Sequence, residues 1–236
     1  MKWEWLGRID YPDAVQRMES LRARILDGDT GAETLLLLEH APVITLGRRA
    51  RAEHILASQA ALAARGVTLA ESSRGGDVTY HGPGQLVAYP VMRLQTGVVD
   101  HVCRLAKAAI AVAARYGIEA RFDRARPGVW AGDRKLAAVG VHVHRRVAIH
   151  GFALNVGGAL DGFDLIVPCG LATSRTTSIA SEIGAGRSVP ALHVLASRVA
   201  NALGRELGVP FIPEVDSPGR ISKIEMSEGI TRMIGA

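Results

Sequence analysis

The chain has 236 residues, with 28 Lys and Arg against 23 Asp and Glu (net charge +5, isoelectric point near 9.6). It is 48% hydrophobic, 22% charged and only 5% aromatic. Such a composition excludes a disordered chain and gives enough length for one large core. Charges within the opening MKWEWLGRIDYP exclude a signal peptide, and the longest uncharged apolar runs, 35–38 and 108–114, are too short for a membrane span, so a cytoplasmic protein is expected. Two cysteines, Cys103 and Cys169, are too few for a disulfide framework, and the positive charge suits an acidic partner without naming one.

In chain order, Val15, Met18, Leu21 and Ile25 recur at helical spacing, with Asp10 or Asp13 as a start signal and Gly28 after the end. This predicts an amphipathic helix over 12–27. TLLLLEH (34–40) and VITLG (43–47), parted by Ala41-Pro42, read as short strands. Residues 55–64 predict an alanine-rich helix stopped by Gly66, and 67–73 predict a strand. Next comes 73–90, SRGGDVTYHGPGQLVAYP, which concentrates Gly75, Gly76, Gly82 and Gly84 with Pro83 and Pro90. Glycine reaches positive φ freely and lets backbone approach a ligand, so this predicts a rigid loop. A surface hairpin is the plainer reading. The strand-like 67–73 and 85–91 on either side would hold the loop at the end of a sheet, which favours a ligand site.

A long helix is predicted over 98–116, with Val99, Val102, Ala106, Ala109 and Ala113 on one stripe and Gly117 as a left-handed cap. Cys103 beside that stripe reads as a small buried hydrophobe. Strand-like pieces follow at 119–122, 128–131, 135–143 and 147–156, with Arg145-Arg146 as a hairpin turn and with Gly140 and Gly151 inside the last two. The stretch IVPCGLATSRTTSIASE (166–182) precedes an amphipathic helix over 190–207. A single domain over 1–213 is expected, followed by a polar, loosely attached tail at 214–236.

Cys169, in Pro168-Cys169-Gly170, sits on a turn, where a thiol is poorly placed for packing and well placed to attack. Thiols react as thiolates, and a nearby ammonium lowers the pKa from ~8.5. One of the eight histidines is a possible activator. Lys135 is another, since it opens an otherwise apolar strand; the competing reading is an exposed strand-end lysine. His142 and His144 share a strand face on which His150 might join them around a metal, but no carboxylate or cysteine is spaced to complete the set, and no metal is expected. No G-x-x-x-x-G-K-[ST] and no strand–helix G-x-G-x-x-G is present, so neither a P-loop nor a dinucleotide site is expected. Scattered basic residues with few aromatics argue against a nucleic-acid platform.

Three blocks in fixed order, RGGDVTYHGPGQLVAYP (74–90), GVWAGDRKLAAVGVHVHRRVAIHGFALNV (128–156) and PCGL (168–171), strongly resemble the octanoyl-[acyl-carrier-protein]:protein octanoyltransferases. The resemblance implies the α+β fold of the biotin and lipoate protein ligases, a single domain with a mixed central sheet flanked by helices. It implies transfer of an octanoyl or lipoyl group from octanoyl-acyl carrier protein to a lysine of lipoyl domains in 2-oxoacid dehydrogenase complexes, or of the glycine cleavage H protein. That is the first step of endogenous protein lipoylation, with no cofactor and no membrane. By the same resemblance Cys169 carries an acyl-thioester intermediate and Lys135 lowers its pKa. The acyl site is implied at Arg74, Gly75, Gly76, Asp77, Val78, Thr79, Tyr80 and His81, at Ala138, Val139 and Gly140, and at Gly151, Phe152 and Ala153. Asp133-Arg134 depart from the neutral glycine-rich turn common before the lysine. An ATP-dependent lipoate or biotin ligase of the same fold is the alternative, and it needs no catalytic cysteine.

Overall fold

Apolar runs without alternation mark strands covered on both faces, and they form the middle of the main sheet. The computed structural model describes residues 1–167 and 175–214. Its strands are β1 (Lys2–Ile9), β2 (Thr34–His40), β3 (Val43–Leu46), β4 (Thr68–Glu71), β5 (Val78–His81) and β6 (Gln85–Arg93) in the first half. The second half supplies β7 (Arg121–Asp123), β8 (Gly128–Ala131), β9 (Arg134–His144), β10 (Val147–Asn155), β11 (Arg175–Thr176) and β12 (Ile212–Pro213). The helices are α1 (Tyr11–Leu26), α2 (Gln59–Ala64), α3 (Val98–Ala114), α4 (Ile179–Ile183) and α5 (Leu192–Leu207).

The large mixed sheet runs β12-β1-β2-β6-β10-β9-β8-β7, with β11 also pairing to β9. β1 is parallel to β2 and β12, β11 is parallel to β9, and the remaining pairs are antiparallel. Along β2, Leu35 and Leu37 face α3 and α5, where Leu105, Val112, Leu195 and Val199 are buried. Leu36 and Leu38 face α1, which contributes Met18, Leu21 and Ile25. The sheet is thus sandwiched, which is the expected α+β layering. At Ala41-Pro42 the chain leaves this sheet for a smaller one, β4-β3-β5, with its own apolar cluster of Ile44, Leu62, Val78, Tyr80, Leu165 and Ile166. Among the described residues no helix is long and apolar enough to cross a membrane.

The β9–β10 hairpin turns on Arg145 (φ 46°) and Arg146 (φ 67°), the two left-handed residues that a two-residue type I′ turn requires. Several expectations need correction. Residues 55–58 are not helical: α2 starts after Ser58, whose Oγ accepts from Ala61 N–H at 3.2 Å, while Ile55 pairs with Ile166. That distant partner outweighs local helix preference. Residues 78–81, expected within a continuous loop, form β5 because Ile44 and Leu46 on β3 offer them a ladder. The buried stripe of α3 is rotated toward His101, Leu105 and Val112, leaving Val99 64% exposed. Cys103 is only partly buried, with Arg124 Nη2 3.6 Å from its Sγ. Glu214 N–H still bonds Trp3 C=O at 2.9 Å, whereas the rest of the expected tail, 215–236, lies outside the described residues.

Candidate active site

The glycine stretch lies where the two sheets meet. Arg48 N–H donates to Arg74 C=O at 3.0 Å and Arg49 N–H to Gly76 C=O at 2.9 Å, tying the loop to the end of β3. Gly75 N–H donates to Val141 C=O at 3.0 Å, which joins the loop to β9 of the large sheet. That approach needs a glycine on β9: a Cβ on Gly140 would lie 3.1 Å from Gly75 O. The Arg74 guanidinium reaches back to Thr45, with Nη2 2.7 Å from its carbonyl oxygen and 2.8 Å from Oγ1.

Between the sheets lies a cavity of about 670 Å³. Arg74, Gly75, Gly76, Asp77, Val78, Thr79 and His81 line it from the loop and β5. Ala138, Val139 and Gly140 line it from β9, and Gly151, Phe152 and Ala153 from β10. The three sequence blocks are thus neighbours because β9 and β10 pair, Gly151 opposite Gly140, and because Gly75 bonds Val141. Tyr80 is the exception. It alternates with Thr79 and His81 along β5, so its ring turns away to meet Phe163 edge-on at 5.5 Å, against Gly162.

Lys135 is not an exposed strand-end lysine. It is 6% exposed, lines the cavity and holds Nζ 5.6 Å from the centroid of Trp130. Gly128 on β8 makes room for it: a Cβ there would stand 2.5 Å from Lys135 Cε and 2.9 Å from Ala137 O, at a φ of +154° that side chains rarely adopt. Thr177 N–H donates to Lys135 C=O at 2.9 Å, beside the β11–β9 pairing of Thr176 with Lys135. Val167 N–H donates to His54 C=O at 2.8 Å. Cys169 falls between these two anchored positions, outside the described residues.

A buried polar chain starts from the cavity wall. His81 Nδ1 is 2.6 Å from Gln85 Oε1, Gln85 Nε2 donates to Asn155 Oδ1 at 2.9 Å, and Asn155 Nδ2 donates to Thr177 C=O at 3.0 Å. Thr177 Oγ1 donates to Glu182 Oε1 at 2.6 Å, and Arg134 grips Glu182 through two bonds of 2.8 and 2.9 Å. The Arg134 pair holds the Glu182 carboxyl below its usual range. Because Gln85 uses its oxygen toward His81, the neutral imidazole donates from Nδ1 and keeps a lone pair on Nε2. Burial pushes His81 well below the ordinary histidine value, His40 to about 4 and His150 to about 3.

Sequence reasoning missed four cavity-lining positions: His54, whose Nδ1 is 2.5 Å from Asp77 Oδ2; Tyr89, which bonds His40; Arg126; and His150. His150 entered only as a possible metal ligand, although its place beside Gly151 in the HGFALNV block was a usable signal. Among the described residues no three His, Cys, Asp or Glu side chains are grouped to hold a metal.

The lipoyl protein ligase A/B catalytic domain family matches residues 10–202. An octanoyltransferase of Chloroflexus aurantiacus is 46% identical over 206 residues, 85% of this chain and 91% of its own. One from Acidobacterium capsulatum is 41% identical over 233 residues, 91% and 92% of the two chains. Among solved structures, a lipoate-protein ligase A bound with ATP superposes at a TM-score of 0.69 with 17% identity, covering 98% of this chain and 94% of that one. The bipartite lipoate protein ligase of Thermoplasma acidophilum, described with its E2 lipoyl domain, superposes at 0.68 with 16% identity, covering 98% and 91%. At such identity the structures speak for the fold, a mixed sheet with helices on both faces, while the sequence relatives cover nearly the whole chain. The chain therefore belongs to the lipoyl protein ligase A/B catalytic domain family, on its octanoyltransferase branch.

Proposed function

We propose that the protein is an acyltransferase that moves an octanoyl group from acyl carrier protein to a lysine of lipoyl domains and of the glycine cleavage H protein, through a thioester on Cys169. The observation that carries this reading is Lys135. A buried lysine lines an acyl-sized cavity, and its own carbonyl holds Thr177, eight residues after Cys169 in the chain.

In the first step the Cys169 thiolate attacks the donor thioester carbonyl; a C–S bond forms, the carrier thiolate leaves and takes a proton. In the second, the acceptor amine attacks the Cys169 thioester; a C–N bond forms, the C–S bond breaks, and the amine proton passes by way of Lys135 to the departing sulfur. The first exchange is near thermoneutral and the second, thioester to amide, runs downhill, so no nucleotide is needed. Val139, Val141 and Phe152 offer the chain an apolar wall worth ~0.8 kcal/mol per buried methylene. Arg49, Arg51 and Arg126 along the same cavity suit an acidic donor. A reduced thiol and a carrier-protein donor place the reaction in the cytoplasm. Catalysis is assigned to residues 1–213, and 214–236 are read as a dispensable tail.

Intact-mass analysis after mixing with octanoyl carrier protein, without ATP, is expected to show one octanoyl increment mapping to the Cys169 peptide and absent from Cys169→Ser. Cys103→Ser is expected to retain it. An increment on Cys103, or acylation only with ATP, would overturn the reading, the latter in favour of a ligase.

A second expectation follows from the room made for Lys135. Gly128→Ala displaces that side chain from its slot, and it is expected to lower single-turnover acyl transfer at least about 10-fold while costing ~1–3 kcal/mol of stability. Parent-like transfer by the folded variant would show that the slot does not matter.

A further inference from the structure

The acyl cavity is not apolar throughout. On β10 His150 stands opposite Val141, which is six residues along β9 from Lys135, a span of roughly 20 Å at ~3.3 Å per residue. Both His150 and Lys135 line the cavity. Their side chains take up part of that span from either end, and the remainder is of the order of an extended medium-length acyl chain. A chain with its carbonyl at Lys135 therefore has its remote end near His150.

That end is built at a cost which an apolar residue would avoid. His150 is 1% exposed, and its Nδ1 is buried without a hydrogen-bond partner among the described residues, while Nε2 lies 3.0 Å from Ser73 Oγ. Its φ of +62° is left-handed although it is not glycine. Opposite this part of β10 stands Pro90 on β6, which has no N–H for the ladder, and His150 N–H turns instead to Met18 Sδ at 3.3 Å. His81 lies close enough for His150 to depress its proton affinity further, and it carries a lone pair on Nε2. Burial keeps both imidazoles neutral, so this end of the cavity offers hydrogen bonds rather than charge from its histidines.

We propose that His150 Nδ1 and His81 Nε2 form a polar subsite for the remote end of the acyl chain, which accepts an eight-carbon acyl group bearing a hydroxyl on its terminal carbon. The inference rests on the acyl-transfer reading of the same cavity. A hydroxyl both donates and accepts, so it satisfies His81 as an acceptor and either tautomer of His150. A methyl in the same place leaves His150 Nδ1 buried and unpaired.

The test compares octanoyl-, 8-hydroxyoctanoyl- and nonanoyl-carrier protein as donors, nonanoyl being the same length as the hydroxylated chain with a methyl in place of the hydroxyl. The parent is expected to transfer 8-hydroxyoctanoyl at a kcat/KM at least about 10-fold above nonanoyl. His150→Phe is expected to bring that ratio to one or below, read as a ratio within each protein so that a general loss of activity does not affect it. His150→Asn, which tolerates left-handed backbone and keeps a hydrogen-bonding side chain, is expected to retain part of the preference. A parent ratio of one or less overturns the subsite even if no variant folds, and so does a ratio unchanged in folded His150→Phe. If octanoyl is transferred while the hydroxylated chain is rejected, the subsite fails and the acyltransferase reading stands. If no donor is used, both fail.

Discussion

Lys135→Met is expected to slow octanoyl transfer by about 10²- to 10⁴-fold, the range of a positioned proton-transfer group, and to slow alkylation of Cys169 at pH 7. Methionine keeps the length of the chain between Gly128 and Trp130 but removes the ammonium whose charge favours the thiolate. Lys135→Arg separates charge from proton transfer. Its guanidinium preserves the positive charge and so retains part of the alkylation rate, yet it neither gives nor takes a proton near neutrality, so transfer to the acceptor amine is expected to stay low. The measurement is a pH profile of iodoacetamide reaction beside single-turnover transfer for the three proteins. An alkylation profile unchanged in Lys135→Met would remove the lysine from thiol tuning. Parent-rate transfer by Lys135→Arg would remove it from proton transfer.

Acidification from pH 7.5 to 5 is expected to cost the fold several kcal/mol. Burial lowers His40 and His101 to about 4 and His150 to about 3, against an ordinary value of 6.5. The unfolded chain therefore binds more protons than the native one below pH 6.5. Stability is full above that value and is lost as pH falls toward the native values, by about 2 kcal/mol per histidine at pH 5. His81 acts in the same direction, and Glu4, whose carboxyl burial pushes upward, acts against it. Domains are stable by only about 5–15 kcal/mol, so the sum is a large part of the total. Urea midpoints at the two pH values measure it, and equal midpoints would refute it. His101→Leu, on α3 and away from the cavity lining, is expected to flatten the dependence by roughly a third, since it replaces a buried imidazole whose Nε2 has no partner.

What the sequence shows depends on how far away each residue's partners lie. The leucines of β2 announce a doubly covered strand, the period of Val15 to Ile25 announces α1, and Arg145-Arg146 announce a turn, because each is decided within a few residues. The glycines at 75, 76, 140 and 151 pointed to a cavity wall because close backbone approach leaves a compositional mark. Distant pairing leaves none. Ile55 leaves its predicted helix for Ile166, residues 78–81 become a strand only against β3, and Tyr80 turns from the cavity because Phe163 lies on the other side. The burial of Lys135 was equally hidden, since it depends on Gly128 from the neighbouring strand.

The passage of the chain at Ala41-Pro42 from one sheet to the other means that the cavity walls belong to two separate apolar cores. Thr79 on β5 is braced from behind by Ile44 and Leu62, whereas Val139 and Phe152 are braced by α3 and α5. Wall positions on the small sheet can therefore change size without disturbing the packing that holds Lys135, and those around Lys135 can be refined without repacking the small sheet. Acyl preference and reactivity are carried on independently adjustable supports, which lets a lineage alter the chain it accepts while keeping the chemistry it performs.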